Sequence, residues 1–134
     1  MRRLVADHGV SRVVTHDLDG TRHSTPRASL MPWDGDRLAF VEVSDGRTLA
    51  NLRRSPRVEV DVVDPLRGRG YRFTGDARVL TDGLLFEIVR KNQVDAELRP
   101  FVEAVVIVDV RFATSLVAPL PQADVDTALH LIGA

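Results

Sequence analysis

Hydrophobic and polar residues alternate over short stretches in the N-terminal third of the chain, a pattern that predicts strands joined by tight turns. Val10 to His16 is rich in β-branched side chains and runs into the turn sequence Asp-Leu-Asp-Gly at residues 17–20. We predict a second strand over about Ser24 to Pro32, a second turn at Trp33 to Asp36, and a third strand from Arg37 to Val43. The third strand is apolar at both parities, which indicates that both of its faces are covered.

The spacing of apolar residues becomes helical after the third strand. Leu49 and Leu52 lie three residues apart. Ser44 or Asp45 can cap the start of a helix, and Pro56 prevents its continuation because proline has no backbone N–H. We therefore predict a short helix of about two or three turns.

Two further strands, each with one apolar and one polar face, follow this helix. The first contains three alternating valines, Val58, Val60 and Val62. The second is longer and runs from Tyr71 to Val79, with Gly75 on its apolar face. A glycine at such a position favours a bulge or the close approach of another backbone.

The C-terminal half adds one central strand and two helices. A helical stripe begins at Leu84 and ends near Asn92 or Gln93. Glu103 to Phe112 is the most strand-like stretch, and its apolar residues at both parities mark it as central. A last amphipathic helix is predicted over about Val125 to Ile132. About six strands with a few short helices predict a mainly β fold, a closed or half-closed antiparallel barrel.

The composition is that of a single-domain protein. With 134 residues and 44% apolar content the chain can build one core, and we predict a single domain over residues 1–134. The formal net charge of −1 gives no global field that would attract nucleic acid or an acidic membrane. No cysteine is present, and no apolar run resembles a signal sequence or a membrane span. These features predict a cytoplasmic protein.

Arginines concentrate between residues 47 and 72. Seven of them, against three acidic residues, are Arg47, Arg53, Arg54, Arg57, Arg67, Arg69 and Arg72. A guanidinium is always protonated and offers two parallel donors to phosphate oxygens. An arginine-only cluster therefore fits phosphate binding.

Arg47 is the first phosphate candidate in this cluster. It lies in the first turn of the predicted helix, where unpaired backbone amides and the helix dipole favour an anion. Ser44 and Thr48 can add hydroxyl donors, and Asn51, four residues beyond Arg47, shares its helix face within reach of a phosphate or its attached chain. A capped surface helix with solvated arginines explains the same pattern, and the local sequence does not separate the two interpretations.

A second candidate region is the segment Ser24 to Leu30. Pro26 removes a ladder donor, which predicts an edge or a distorted strand position. Arg27, Ala28 and Ser29 alternate small and polar side chains, which would let a flat ring lie against the backbone. The alternative is an ordinary barrel strand with one exposed arginine.

Metal and hydrolase chemistry find no support in the sequence. The histidines, His8, His16, His23 and His130, lack the spacing of a metal site, so we expect no metal centre. The Asp-Leu-Asp-Gly sequence lacks the remaining ligands of a calcium loop. No G-x-S-x-G motif occurs.

Three segments, in order, resemble the pyridoxamine 5′-phosphate oxidase-like split-barrel flavin-binding family. They are DLDGTRHSTPRASL, DRLAFVEVSDGRTLANLRRSPRVEVDVVDP and RGYRFTGDARVLTDG, which fall within about Val10 to Gly83. The resemblance implies a six-stranded antiparallel split β-barrel that holds flavin mononucleotide (FMN) at a homodimer interface. It also implies a redox enzyme that acts on a small molecule, with the flavin carrying the electrons.

The flavin contacts that the family implies come from three places. Those to the phosphate are Arg47 and Thr48, with Ser44 and Asp45 in the preceding loop. Those to the ring are Arg27, Ala28, Ser29, Glu42 and Val43. Tyr71 and Arg72 lie on a strand that in the family often reaches across from the partner subunit.

The chain departs from the oxidases proper at several positions. Relatives often have lysine in place of Arg27, and the oxidases have a further lysine in place of Thr48. The substrate contacts of their C-terminal tail are not recognisable in APLPQADVDTALHLIGA, so oxidation of pyridoxamine phosphate is not expected. Two alternatives stay open: an F420-dependent reductase of the same fold, and a non-catalytic flavin-binding carrier.

Overall fold

The computed structural model describes residues 10–27, 30–44, 46–64 and 68–116. Its strands are β1 (Val10–His16), β2 (Arg22–Pro26), β3 (Met31–Asp34), β4 (Arg37–Glu42), β5 (Arg57–Asp64), β6 (Arg69–Leu80) and β7 (Ala104–Ser115). Its helices are α1 (Arg47–Arg54), α2 (Leu84–Gln93) and a single 3₁₀ turn, Arg99–Phe101.

The seven strands form one antiparallel sheet in the order β2-β1-β5-β6-β7-β4-β3. β2 and β3 follow each other in the chain, yet they lie at opposite edges of the sheet. Only five residue steps separate Pro26 from Met31, and an extended chain of that length reaches about 18 Å at most. The sheet must therefore curl until its two edges come near each other. We call the gap between β2 and β3 the seam; it makes the barrel a split one, as the resemblance implied.

The strand count differs from the six that were expected, because the predicted second strand is two strands. The sequence pattern predicts one continuous strand from Ser24 to Pro32, whereas β2 ends at Pro26 and β3 begins at Met31. Pro26 cannot donate to a ladder, and β2 is an edge strand, as the proline predicted. The chain leaves one edge of the sheet at this point and joins the other.

Two apolar clusters cover β4 on both faces, as its sequence predicted. Leu38 and Phe40 point into the barrel, where they pack with Leu49 and Leu52 of α1. The intervening residues of β4 pack with those of β7 and α2 in a second cluster: Ala39, Val41, Phe86, Val89, Val94, Val105 and Ile107. β4 and β7 therefore lie between the barrel interior and α2.

Gly75 allows two backbones to approach closely where β6 meets β7. The register between these strands shifts between Thr74 and Gly75, which is a bulge. A Cβ atom added to Gly75 would collide with the backbone oxygen of Asp109. The prediction of a bulge or close approach at this glycine is confirmed.

The ends of both helices agree with the sequence pattern except at one cap. The N-cap of α1 is Gly46 and makes no side-chain hydrogen bond, so the prediction that Ser44 caps this helix is wrong, and Asp45 lies outside the described residues. The C-cap Ser55 precedes Pro56, which ends α1 as expected. The predicted C-terminal helix also lies outside the described residues. Within the described ranges, neither helix has the length and apolarity to cross a bilayer.

Candidate functional site

A cavity of about 430 Å³ opens beside the seam, where the ends of β2, β4 and α2 meet. We call it the seam cavity; its lining residues are Pro26, Arg27, Val41, Glu42, Val43, Ser44, Gln93, Val94, Asp95 and Leu98. Four of these were predicted as cofactor-binding residues: Arg27, Glu42, Val43 and Ser44. Its volume lies in the range of small-molecule sites, and half of its lining residues are apolar.

An ion pair between Arg27 and Glu42 forms part of the cavity wall. Arg27 Nε donates to Glu42 Oε2 at 2.5 Å, and Arg27 Nη2 donates to Glu42 Oε1 at 2.7 Å. The Glu42 residue is 4% exposed, and the Arg27 side chain is 21% exposed. Two parallel bonds to a buried carboxylate fix both the position and the charge balance of this guanidinium.

Arg27 also joins three elements around the cavity. Its backbone N–H donates to Ser11 of β1 at 3.0 Å, and Nη1 donates to the carbonyl of Pro26 at 2.7 Å. Nη2 further donates to Thr48 Oγ1 at 3.3 Å, in the first turn of α1. Thr48 was predicted to contact phosphate, and the structure places its buried hydroxyl against Arg27 behind the lining of the cavity.

Arg47 does not line the seam cavity; it lies in a separate, shallow groove beside α1. This α1 groove is lined by Asp17, Leu18, Asp19, Arg47, Asn51 and Arg54. The Arg47 side chain is 63% exposed, with Nε 3.6 Å from Asp17 Oδ1 and Nη1 3.4 Å from His23 Nδ1. These contacts are long, so the guanidinium can turn towards an incoming anion at small cost.

Asn51 is committed to the hairpin between β1 and β2. Its Nδ2 donates to Thr15 Oγ1 at 3.0 Å and to Asp17 Oδ1 at 2.9 Å, and its Oδ1 accepts from Arg54. The residue is 4% exposed. Asn51 shares a helix face with Arg47, as its spacing predicted, but the donors of its amide are already bonded to the hairpin.

A hydrogen bond within the same hairpin stabilises the ionised form of Asp19 in the turn. Asp19 Oδ1 accepts from the backbone N–H of Thr21 at 2.9 Å. This bond stabilises the ionised carboxylate and lowers the pKa of Asp19. The groove therefore contains acidic as well as basic groups.

Tyr71 and Arg72 lie away from the seam cavity within the same chain. Arg72 donates from Nε and Nη2 to the two carboxylate oxygens of Asp61, at 2.8 and 2.9 Å, on the neighbouring strand. This pairing raises the pKa of Arg72. The ring of Tyr71 packs 6.3 Å from that of Phe73. Neither residue lines the seam cavity.

The predicted residues therefore separate into groups. Arg27, Glu42, Val43, Ser44 and Thr48 meet around the seam cavity. Arg47 and Asn51 line the α1 groove, and Tyr71 and Arg72 lie on β6. Ala28, Ser29 and Asp45 lie outside the described residues. The arginine cluster does not converge on one site, because Arg54 bonds to the end of β1 and Arg72 to β5.

Sequence reasoning missed the wall that follows α2. Gln93, Val94, Asp95 and Leu98 line the seam cavity some fifty residues after Glu42 in the chain. Both amide atoms of Gln93 are buried and have no hydrogen-bond partner among the described residues. The only signal was the predicted helix end near Gln93, which says nothing of what it contacts. The described residues contain no group of three or more possible metal ligands.

An antiparallel sheet that curls without closing is the architecture of a split β-barrel. The sequence profile of pyridoxamine 5′-phosphate oxidase matches residues 1–113. The chain belongs to that family. No curated protein sequence matches it significantly.

Solved structures share the fold over most of the chain. HupZ of Group A Streptococcus is 28% identical, with a TM-score of 0.78 over 92% of this chain and 96% of that one. An FMN-binding protein from Syntrophomonas wolfei is 17% identical, with a TM-score of 0.72 over 90% of this chain and 85% of that one. A heme binding protein from Mycobacterium smegmatis is 16% identical, with a TM-score of 0.71 over 99% of this chain and 59% of that one.

Proposed function

We propose that this protein is an FMN-binding oxidoreductase of the pyridoxamine 5′-phosphate oxidase family, with the flavin at a homodimer interface and a small molecule as its substrate. The observation that carries the proposal is the seam cavity, which collects Arg27, Glu42, Val43 and Ser44 from separate parts of the chain. Flavin, when bound, supplies hydride or electron transfer, and the protein supplies binding, orientation and electrostatics.

The lining of the seam cavity fits a planar ring. Pro26, Val41, Val43, Val94 and Leu98 give it apolar walls. The Arg27 guanidinium, which Glu42 holds in place, and the Ser44 hydroxyl supply polar groups that can orient a heterocycle. The cavity can therefore exclude water from a ring while it holds the ring edge by hydrogen bonds.

The phosphate would be held outside this cavity, by Arg47. Arg47 is the first residue of α1, where the backbone amides of the first turn have no partner within the helix. It is exposed and its protein contacts are long, which leaves it available to an anion. Thr48 positions Arg27 instead, so this proposal gives Thr48 an indirect part in binding.

A second copy of the chain would complete the site. Tyr71 and Arg72 lie away from the seam cavity of their own chain, so they can contribute only from a partner subunit. Val43 and Leu98, which line the cavity, are exposed apolar side chains. Burial of such residues against a partner is what a homodimer interface at this place would provide.

Of two other ligands, F420 is an alternative and heme is not. An F420 reductase shares the fold, and the arginines near α1 suit a longer phosphate-bearing tail. Heme is disfavoured at the seam cavity, because none of its described lining residues is a histidine, cysteine, methionine or tyrosine that could ligate iron. A flavin carrier without catalysis remains the non-enzymatic alternative.

The decisive experiment is to identify what the purified protein binds. We expect a yellow protein that releases FMN on denaturation, identified by mass, and that photoreduces and then transfers electrons to an acceptor. Reconstitution with FMN, F420 and hemin in parallel ranks the ligands. Uptake of F420 alone would move the protein to the reductases, FMN uptake without electron transfer would make it a carrier, and uptake of neither flavin would reject the proposal.

A further inference from the structure

We propose that Glu42 determines the charge selectivity of the seam cavity: because it cancels the charge of Arg27, the cavity favours a neutral planar ligand over an anionic one. The inference rests on the proposed function only in treating the seam cavity as a ligand site. It does not require the ligand to be a flavin.

The charges around the cavity are few and arranged unequally. Among its described lining residues only Arg27, Glu42 and Asp95 carry charge. Arg27 and Glu42 form a bidentate pair in the wall, while Asp95 is exposed and so screened by solvent. The described lining thus offers a guanidinium to the ligand but no net positive charge.

The geometry explains why Glu42 controls how the cavity responds to the charge of a ligand. Its side chain is 5% exposed, so little water screens the carboxylate. Glu42 ends β4, and its backbone carbonyl accepts the N–H of Glu103, which holds the residue in place. An anion that approaches Arg27 must therefore meet a fixed negative charge less than 3 Å from the same guanidinium.

A neutral ligand does not experience this conflict. It can accept a hydrogen bond from the guanidinium or pack on the apolar wall without a change in the ion pair. Neutral and anionic forms of one ring system should therefore be separated by Glu42, and replacement of Glu42 by an uncharged isostere should remove the separation.

The test uses two fluorescent probes with the same ring skeleton. 1-Anilinonaphthalene-8-sulfonate is a monoanion, and N-phenyl-1-naphthylamine is neutral. Both are titrated at pH 7 into the full chain and into Glu42→Gln. We expect Glu42→Gln to bind the sulfonate about tenfold more tightly and the neutral probe with unchanged affinity.

Asp34→Asn is the matched control. It removes another carboxylate that accepts two parallel bonds from an arginine, Arg37, and neither residue lines the cavity. The ratio of the two affinities should stay at its wild-type value. The same ratio in wild type and Glu42→Gln, or the same shift in Asp34→Asn, would overturn the proposal.

Two further variants keep the test decisive if Glu42→Gln does not fold. Arg27→Gln leaves the carboxylate alone and should weaken binding of the sulfonate relative to the neutral probe. Arg27→Gln combined with Glu42→Gln removes both charges and should restore the wild-type ratio; failure of both expectations contradicts the inference. Altered probe selectivity in a protein that takes up neither FMN nor F420 would reject the proposed function alone, and FMN uptake with unaltered selectivity would reject this inference alone.

Discussion

Asn51 of α1 and Asp17 at the end of β1 are joined by a hydrogen bond of 2.9 Å, which ties the helix to the first hairpin. We predict that Asn51→Ala lowers the free energy of unfolding by about 1–3 kcal/mol, because Thr15 Oγ1 and Asp17 Oδ1 lose a buried donor. Urea unfolding measures this change. Asn92→Ala, at an exposed position of α2, should have little effect. Equal stability of the two variants would contradict the structural role of Asn51.

Arg47 provides the test of the proposed phosphate site. We expect Arg47→Ala to weaken FMN binding by about tenfold or more, since a charge-assisted contact to phosphate is lost, while the melting temperature stays close to that of the wild type. Fluorescence titration with FMN measures the affinity.

The control for Arg47 is Arg111→Ala. Arg111 is 68% exposed and pairs with one carboxylate, Asp76, much as Arg47 approaches Asp17. It lines neither the seam cavity nor the α1 groove. Loss of FMN affinity in Arg111→Ala to the same degree would mean that general surface charge, rather than a phosphate site, explains the effect.

The ion pair at the seam also predicts a redox property. If FMN binds in the seam cavity, Glu42→Gln should raise its two-electron reduction potential by about 30–60 mV, because the cavity loses a negative charge that opposes reduction. Equilibration with reference dyes measures the potential. An unchanged or lower potential, with FMN bound, would place the ring away from Glu42.

Replacement of Gly75 by a residue with a Cβ atom should lower the stability of the fold strongly. We expect Gly75→Ala to cost about 2–4 kcal/mol, because the new Cβ collides with the backbone of β7 and the strands must separate. Gly35→Ala is the control, since a Cβ at Gly35 meets no atom within 4 Å. Thermal unfolding of the two variants measures the difference, and an unchanged melting temperature for Gly75→Ala would show that the bulge can relax.

Local pattern predicted the elements of this fold well, and for identifiable reasons. The apolar residues at both parities of β4 required cover on two faces, and the structure supplies it from α1 and α2. Gly75 and Pro26 each marked a backbone irregularity, because their conformational and hydrogen-bonding properties are independent of distant residues.

The candidate site was less predictable, because it depends on which distant elements meet. Helical spacing placed Arg47 and Asn51 on one face, but it did not show that this face packs on the first hairpin. The ion pair between Arg27 and Glu42 forms only because the whole sheet curls. The wall after α2 depends on the same long-range arrangement, which no local pattern encodes.

The open barrel has a consequence for solubility. Each free edge of the sheet carries a proline, Pro26 at the end of β2 and Pro32 within β3. An unpaired edge is a template on which strands of other molecules can add, and proline interrupts such addition because it has no N–H to donate. The protein can thus leave both edges of its sheet unpaired without inviting the cross-strand aggregation to which exposed edges are prone.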